Sequence, residues 1–371
     1  MERRVGSEHL DLYLSDSNLE EGITQVIKSV RPEWPELPDI KLKVFTDGIT
    51  NRLVGVYLEK SPNDMVLIRV YGEKTELFID RKQELRNMRT MYKSGLIPPF
   101  YCSFNNGICY GYSPGIVLDE NLVRDPLISR LISEMLARMH TIKPQVNRCH
   151  EMKDCALEAE PSLFRSLRKF LDLIPGALKD TQRDKRFKKF IPKKQNLISE
   201  VNCLELSLKK LFSPVVFCHN DLLLKNIVFN SDKSAVTFID FEYADYNYQA
   251  FDIANHFCEF AGVDTFNPSL YPNKEFQIRW LRHYLEAWVA FKNRSLVTNP
   301  IERPSIEKEI ETLYHQVNQF AMASHLLWGL WAIVQAEHST INFDYLGYAV
   351  QRLREYYKLK EELLINDEIY H

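Results

Sequence analysis

The sequence has few of the features that mark a secreted or membrane-spanning protein. Its seven cysteines form an odd set without a CxxC pair, so neither a disulfide framework nor a CxxC zinc site is indicated. The longest apolar stretch, residues 320–334, includes Ser324, His325 and Gly329 and is shorter than the ~20 apolar residues that span a bilayer. The amino terminus has no apolar run typical of a secretory signal. We therefore predict a cytoplasmic protein with reduced thiols and no stable membrane insertion.

The chain also carries little net charge and few glycines. The formal net charge is only −3, which offers no strong field to nucleic acid, and we predict no nucleic-acid partner. Only 13 of 371 residues are glycine, while 45% are hydrophobic, as in an ordinary globular protein. The length predicts about two lobes. We place them at residues 1–115 and residues 116–371.

The order of predicted elements supports that division. Before residue 119 the pattern indicates a helix, three strands, a second helix and two more strands, over residues 18–30, 41–45, 52–58, 65–71, 77–94, 102–109 and 111–118. Beyond it, helical periodicity covers residues 127–140, 162–173, 196–211, 276–291, 306–336 and 343–364. The expected fold is α+β and bilobal, protein-kinase-like, with a small sheet-rich amino-terminal lobe and a larger, mainly helical carboxy-terminal lobe.

One block between residues 217 and 259 carries the candidate chemistry. His219, Asp221 and Asn226 fit the pattern H-x-D-x-x-x-x-N, which is typical of the catalytic loop of phosphoryl-transfer enzymes. Asp240 follows the apolar run VTFI, where such enzymes keep a second metal-binding carboxylate. Asp221 is the candidate base, and Asn226 and Asp240 offer the hard oxygen ligands that suit Mg²⁺. A turn Asp can simply cap its own loop, but the joint spacing and strand context favour function; for His219 we favour a bracing role.

Signals in the amino-terminal lobe are weaker. The turn TDGITN has one glycine, Gly48, with Thr50 and Asn51 as donors; it is a candidate phosphate cover, and an ordinary hairpin turn is the alternative. Arg69 stands on the third strand, where kinases use a lysine on the phosphates, and Glu84 on the next helix is its candidate partner. An exposed arginine and a solvated glutamate are the alternative there.

Three ordered strings then resemble the choline/ethanolamine kinase family, over about residues 44–357. They are HNDLLLKNI, IDFEYADYNYQAFDIANHFCEFAGV and HLLWGLWAIVQAEHSTINFDYLGYA. The resemblance implies ATP and Mg²⁺ as cofactors, Asp221 as base, and Asn226 and Asp240 as metal ligands with Glu242 beside them. It also implies that Gly111 to Ser113 read adenine through backbone groups and that Asp252 holds the catalytic loop. Residues 1–115 would then be the nucleotide-binding lobe, and residues 116–371 the catalytic and amino-alcohol-binding lobe.

The acceptor pocket should separate the two branches of this family. Choline, a quaternary ammonium, is best held by aromatic faces, whereas the ammonium of ethanolamine donates hydrogen bonds. By resemblance, Trp328, Trp331 and Tyr348 line the pocket and Glu259 supplies an acid, although two tryptophans on an apolar helix are often core. After Glu259 the chain reads FAGV, where choline-type enzymes have additional tyrosines. We therefore expect phosphorylation of ethanolamine, the first step of phosphatidylethanolamine synthesis.

Other functions stay open at this point. A choline or dual-specificity kinase is the nearest alternative, an antibiotic or sugar phosphotransferase is more distant, and a pseudokinase that binds without turnover is the non-catalytic one. Residues 165–194 hold eleven Lys or Arg against three acids, which is typical of a solvated helix and also fits an acidic partner. The sequence leaves that segment and the oligomeric state unassigned.

Overall fold

The structure is a computed structural model that describes residues 8–15, 17–34, 40–45, 51–72, 79–143, 160–263, 265–293, 305–339 and 341–369. Its strands, in chain order, are Glu8–Leu10 (β1), Ile40–Phe45 (β2), Asn51–Leu58 (β3), Ser61–Tyr71 (β4), Phe100–Phe104 (β5), Gly107–Gly111 (β6), Ile116–Val117 (β7), Val215–Cys218 (β8), Ile227–Asn230 (β9), Ala235–Phe238 (β10) and Asp245–Tyr248 (β11).

The helices make up most of the second half of the chain. In order they are Leu19–Val30 (α1), Arg81–Lys93 (α2), Pro126–His140 (α3), Ser162–Leu173 (α4), Thr181–Phe190 (α5), Lys194–Lys209 (α6), Gln249–Cys258 (α7), Lys274–Asn293 (α8), Ile306–His338 (α9) and Tyr345–Ile369 (α10). The fold is thus α+β, with a sheet-rich amino-terminal part and a helical carboxy-terminal part, as the sequence predicts.

The chain forms two compact units. Unit 1 comprises the described residues of Met1–Val117 together with Ile227–Tyr243, and unit 2 comprises those of Leu118–Asn226 and Ala244–His371. The predicted boundary at residue 115 lies close to the break after Val117. It assigns residues 227–243 to the carboxy-terminal lobe, however, whereas in the structure this segment returns to unit 1, because β9 pairs with β7 and with β10.

Unit 1 is built on a six-stranded sheet in the order β1-β5-β6-β4-β3-β2. Alternate residues of β4 point to opposite faces: Val66 and Ile68 join α1 in one hydrophobic core, whereas Leu67 and Arg69 line a pocket on the other face. Gly107 begins β6 because a Cβ there would lie 2.3 Å from the Arg69 carbonyl oxygen. The glycine therefore permits the close approach that places β6 beside Arg69.

Unit 2 combines the antiparallel pair β8 and β11 with the helices α3 to α10. Its centre is α9, which is buried along most of its length from Phe320 to Ala336. This confirms that the apolar stretch is a core helix; within the described residues, no helix combines the length and apolar character needed to cross a bilayer. By contrast α5, in the basic segment, has no buried residue. Lys188 pairs with Asp184 one turn away, and Arg186 pairs with Asp344, which is distant in sequence.

Several predicted element bounds are wrong in informative ways. The helix predicted from residue 77 begins at Arg81, because the Asp80 side chain accepts hydrogen bonds from the Lys82 and Gln83 amides and caps it. The strands predicted over 102–109 and 111–118 are the hairpin β5–β6 followed by the two residues of β7. Two helices, α5 and α7, were not predicted from the sequence. Of these, α7 is short and lies within the acidic block between residues 217 and 259.

Candidate active site

The predicted catalytic loop of unit 2 runs from the end of β8 to a single helical turn at Leu224–Asn226. Asn226 closes it, since its Nδ2 donates to the Asp221 carbonyl oxygen at 2.9 Å and to Asp221 Oδ2 at 3.3 Å. Asn226 Nδ2 therefore faces the loop. This leaves Asn226 Oδ1 as the atom of this side chain that can bind a metal ion. The loop brings the predicted base and one predicted metal ligand together.

Asp252, at the start of α7, holds the backbone of this loop. Its Oδ2 accepts from the His219 amide at 2.8 Å and its Oδ1 from the Asn220 amide at 2.7 Å. His140 Nε2 lies 3.0 Å from Oδ2, and His140 Nδ1 lies 2.6 Å from the Tyr284 hydroxyl. Burial raises the pKa of Asp252, but the contacts from His140 and from His219, including its amide, bring it below its ordinary value.

Asn220 adopts left-handed backbone geometry, with φ of 65°, directly before Asp221. Non-glycine residues seldom adopt this geometry unless surrounding contacts enforce it. Here Asn247 Nδ2 donates to Asn220 Oδ1 at 2.9 Å, and Asn255 Nδ2 donates to the Asn220 carbonyl oxygen at 3.2 Å. The loop is therefore fixed on both sides of its strained residue.

In unit 1, five charged side chains that include Asp240 form a row of contacts in which acidic and basic groups alternate. Arg69 Nη1 lies 2.8 Å from Asp240 Oδ1, and Arg69 also pairs with Glu84. Arg81 Nη1 lies 2.9 Å from Glu84 Oε2 and 3.5 Å from Glu242 Oε2. The structure thus brings together four residues that the sequence singled out and adds Arg81, which the sequence analysis missed; Arg81 begins α2, one turn before Glu84.

Electrostatics distinguish the members of this cluster. Burial opposes the charge of Arg69, yet Asp240 and the other acidic groups nearby raise its pKa above its ordinary value. Burial, followed by the charge of Asp240, raises the pKa of Glu242 to about 7, although Arg69 and Arg81 oppose the rise. Two arginines do not fully compensate three carboxylates, so the cluster suits an added cation.

Asp240 is also placed for ligand contact. It follows β10 with a left-handed φ of 63°, and its side chain keeps 34% of its exposure. Strained backbone at a partly exposed carboxylate is a common feature of functional sites. Asn51, at the start of β3, donates from Nδ2 to Glu242 Oε2 at 3.3 Å, which places it in the same cluster. Gly48 and Thr50 lie outside the described residues.

The chemistry of these donors fits Mg²⁺. In unit 1, Asp240 and Glu242 offer carboxylate oxygens; separately, in unit 2, Asn226 offers an amide oxygen. Both are hard ligand types of the kind that the ion takes. Close by in unit 1, Gly111 and Ser113 line a pocket with Arg69 and Asp240, whose apolar walls include Leu67, Met88 and Phe238. An apolar slot that ends in charged groups suits a base and its phosphates.

The residues predicted to hold the amine, here called the amine-side residues, cluster around α9 and α10 of unit 2. Trp328 and Trp331 meet edge-on with ring centroids 5.5 Å apart, and Trp331 contacts Tyr345 at 5.8 Å. Trp328 is buried and its Nε1 donates to Asn255 Oδ1 at 2.7 Å, so this indole is anchored rather than loosely packed.

Tyr348 lies among further rings that the sequence analysis missed. Phe343 and Phe266 contact it, with centroids 5.9 and 6.2 Å away. Phe266, three residues beyond Val263, thus places an aromatic ring beside Tyr348.

Glu259 does not stand alone as an acid. Its Oε1 accepts from Nη1 of the buried Arg352 at 3.0 Å, and the residue is only 4% exposed. The sequence analysis missed both Arg352 and Asn255. Helical spacing carried a signal for each: Arg352 lies one turn beyond Tyr348 on α10, and Asn255 on α7 lies three residues after Asp252 and four before Glu259, which follows that helix.

The fold and these two clusters define a phosphotransferase of the protein-kinase-like class. A family model described as choline/ethanolamine kinase matches residues 42–357, and the chain belongs to that family.

Individual relatives agree with this assignment. The chain is 45% identical to human ethanolamine kinase 1 over 92% of this chain and 72% of that one, and 43% identical to a probable ethanolamine kinase of Nematostella vectensis over 96% and 97%. A solved ethanolamine kinase of Plasmodium vivax is similar in structure, with a TM-score of 0.77, 26% identity and coverage of 93% of this chain and 90% of that chain.

Proposed function

We propose that this chain is an ethanolamine kinase, which transfers the γ-phosphoryl group of ATP to the hydroxyl of ethanolamine and yields phosphoethanolamine. The observation that carries the proposal is the 45% identity to an ethanolamine kinase across 92% of the chain. The product would enter phosphatidylethanolamine synthesis, and we place the enzyme in the cytoplasm.

The roles of the catalytic residues follow from their chemistry. Asp221 accepts the proton of the attacking hydroxyl, since a carboxylate that orients the nucleophile is what this reaction asks of the protein. Asn226 and Asp240 would hold Mg²⁺, with Glu242 beside them, and the bound ion would supply positive charge to the phosphate oxygens. Arg69, kept in place by Glu84, supplies positive charge to the phosphate oxygens. Gly48, Thr50 and Asn51 complete the phosphate contacts.

The segment Gly111 to Ser113 is the proposed adenine contact. The Gly111 amide donates to the Pro99 carbonyl oxygen at 2.8 Å, and the Tyr112 amide donates to the Met65 carbonyl oxygen at 3.0 Å. Pro99 has no N–H with which to return a hydrogen bond. The Gly111 carbonyl and the Ser113 amide are therefore the groups we assign to adenine.

The acceptor amine is assigned to Glu259, Trp328, Trp331 and Tyr348. A primary ammonium donates to the carboxylate and hydroxyl oxygens and lies against aromatic faces. The added rings of Phe266 and Phe343 favour one alternative, a kinase that also accepts choline, because a quaternary ammonium needs aromatic faces most.

An acceptor series tests the proposal. We expect kcat/KM to be highest for ethanolamine and to fall through the monomethyl and dimethyl derivatives to choline, because each methyl group removes a hydrogen-bond donor. Equal or higher kcat/KM for choline would contradict the assignment to ethanolamine. Absence of turnover with every member, despite ATP binding, would instead indicate a pseudokinase.

A further inference from the structure

A buried arginine lies at the centre of the amine-side residues. Arg352 has no exposed surface, and its Nη1 donates to Glu259 Oε1 at 3.0 Å and to the Tyr348 hydroxyl at 3.1 Å. Two of the side chains assigned to the amine therefore share one guanidinium nitrogen. The guanidinium carbon also lies 5.8 Å from the centre of the Phe266 ring, so Arg352 contacts three walls of this region.

This arrangement changes what Glu259 contributes. A buried carboxylate paired with a buried guanidinium has no net charge, so an ammonium gains less Coulomb energy from it than from an isolated carboxylate. Burial opposes the charge of Arg352, but Tyr348 and Glu259 raise its pKa above its ordinary value. The guanidinium stays charged, and Glu259 is an oriented hydrogen-bond acceptor rather than a free negative charge.

The same guanidinium begins a hydrogen-bonded chain that reaches the catalytic loop. Arg352 Nη2 donates to Ser324 Oγ at 2.8 Å, and Ser324 Oγ donates to Asn255 Oδ1 at 2.8 Å. Asn255 Oδ1 also accepts from Trp328 Nε1, while its Nδ2 donates to the Asn220 carbonyl oxygen. All the links from Arg352 to the residue before Asp221 are direct contacts between side chains, or between a side chain and the backbone.

We infer that Arg352 and Asn255 are positioning residues with separate tasks along this chain. Arg352 fixes Glu259 and Tyr348 and so determines how tightly the amine binds. Asn255 fixes the carbonyl of Asn220 and so determines how Asp221 meets the hydroxyl. The inference rests on the proposed function, because it assumes that the amine binds at Glu259 and Tyr348.

Steady-state kinetics separate these tasks from simple structural support. Arg352→Met should raise KM for ethanolamine about tenfold or more while kcat changes less than about threefold, because the amine contacts are lost and the catalytic loop is kept. Asn255→Asp preserves the acceptor for Ser324 and Trp328 but removes the donor to Asn220. It should lower kcat about tenfold or more with KM within about threefold.

Three further variants keep the test decisive. Arg352→Lys retains the charge, so its KM for ethanolamine should lie between those of Arg352→Met and the wild type. Arg352→Met combined with Glu259→Gln should have a KM no higher than that of Glu259→Gln alone, since Arg352 acts through Glu259. Arg354→Met, on an exposed neighbour of the same helix, should match the wild type. If Arg352→Met does not fold, Arg352→Lys and the combined variant decide.

Two results would overturn the inference. One is a set of Arg352 variants with altered thermal stability but unchanged KM. The other is an Asn255→Asp enzyme that changes KM and leaves kcat intact. Failure of the wild type to phosphorylate ethanolamine would contradict the proposed function instead, so the two failures are distinguishable.

Discussion

Glu242 in unit 1 and Asp252 in unit 2 are both enclosed carboxylates, yet their pKa values move in opposite directions. Burial raises both, and the charge of Asp240 raises the pKa of Glu242 further, to about 7. Asp252 instead accepts hydrogen bonds from His140 and the His219 amide, which take its pKa below the ordinary value.

The difference teaches how one residue type serves two purposes. A carboxylate that faces a like charge with incomplete compensation suits an added cation, whereas one saturated by N–H donors is a fixed structural anion. On this account, unit 1 presents acids to a ligand and unit 2 uses its buried acid to hold the catalytic loop. The two kinds of acid should therefore respond differently to substitution.

The largest effect is expected at the acid presented to the metal. Asp240→Ala should lower kcat by about 10³-fold or more through loss of a metal ligand, while the free energy of unfolding changes by less than about 1 kcal/mol, since the side chain is partly exposed. Steady-state rates and denaturant titration measure both. Asp232→Ala, in the exposed turn between β9 and β10, is the control. A strongly destabilised Asp240→Ala protein would contradict the comparison.

For Asp252, the acid that holds the loop, we expect the main effect of substitution to be on stability. Asp252→Asn replaces an acceptor oxygen by an amide that cannot accept from a backbone N–H, and we expect the free energy of unfolding to fall by about 3 kcal/mol. Because the folded pKa is below the unfolded value of about 3.9, this contribution exists above that pH and is lost as pH falls through the folded pKa.

Urea titrations at neutral and acidic pH would measure this, with the exposed Asp172→Asn as control. An Asp252→Asn protein as stable as the wild type at neutral pH would mean that the loop is held by other contacts.

A smaller effect is expected one contact further from the loop. His140→Gln weakens the link between Asp252 and Tyr284, and we expect a loss of about 1 to 2 kcal/mol in the free energy of unfolding. Asp252 keeps its two backbone donors, so kcat should fall only a few-fold. His283→Gln, at a partly exposed position on α8, serves as the comparison. Equal effects of the two substitutions on the free energy of unfolding would contradict a supporting role of His140 for Asp252.

The smallest effect is expected from an arginine that compensates the unit 1 acids. Arg81→Met leaves Arg69 in place, so we expect KM for ATP to rise about threefold, or roughly 0.7 kcal/mol. Arg86→Met, five residues further along α2 and exposed, should leave KM unchanged. A kcat loss as large as that of Asp240→Ala would show that Arg81 does more than balance charge.

Local patterns predicted much of this molecule. The strands over 41–45, 52–58 and 65–71 and the helix over 162–173 follow from side-chain periodicity, which reports which face of an element is buried. His219, Asp221 and Asn226 also lie in one loop of the structure, as their spacing predicts, because they are close in sequence.

What the sequence could not predict depends on contacts between distant residues. The return of residues 227–243 to unit 1 rests on pairing of Ile116 with Phe229, for which no local pattern exists. The bond between Arg352 and Glu259 joins residues 93 positions apart. Such pairs are set by how helices pack, and neither partner's neighbours in the sequence reveal them.

The most direct test of the account is a paired measurement on Asp221→Ala, namely kcat with ethanolamine and the dissociation constant for ATP. The account predicts that kcat falls by about 10²- to 10⁴-fold because the base is lost, while ATP affinity stays within about threefold, since Asp221 acts on the acceptor. A variant that retains wild-type turnover would contradict it, as would one that loses ATP binding together with turnover.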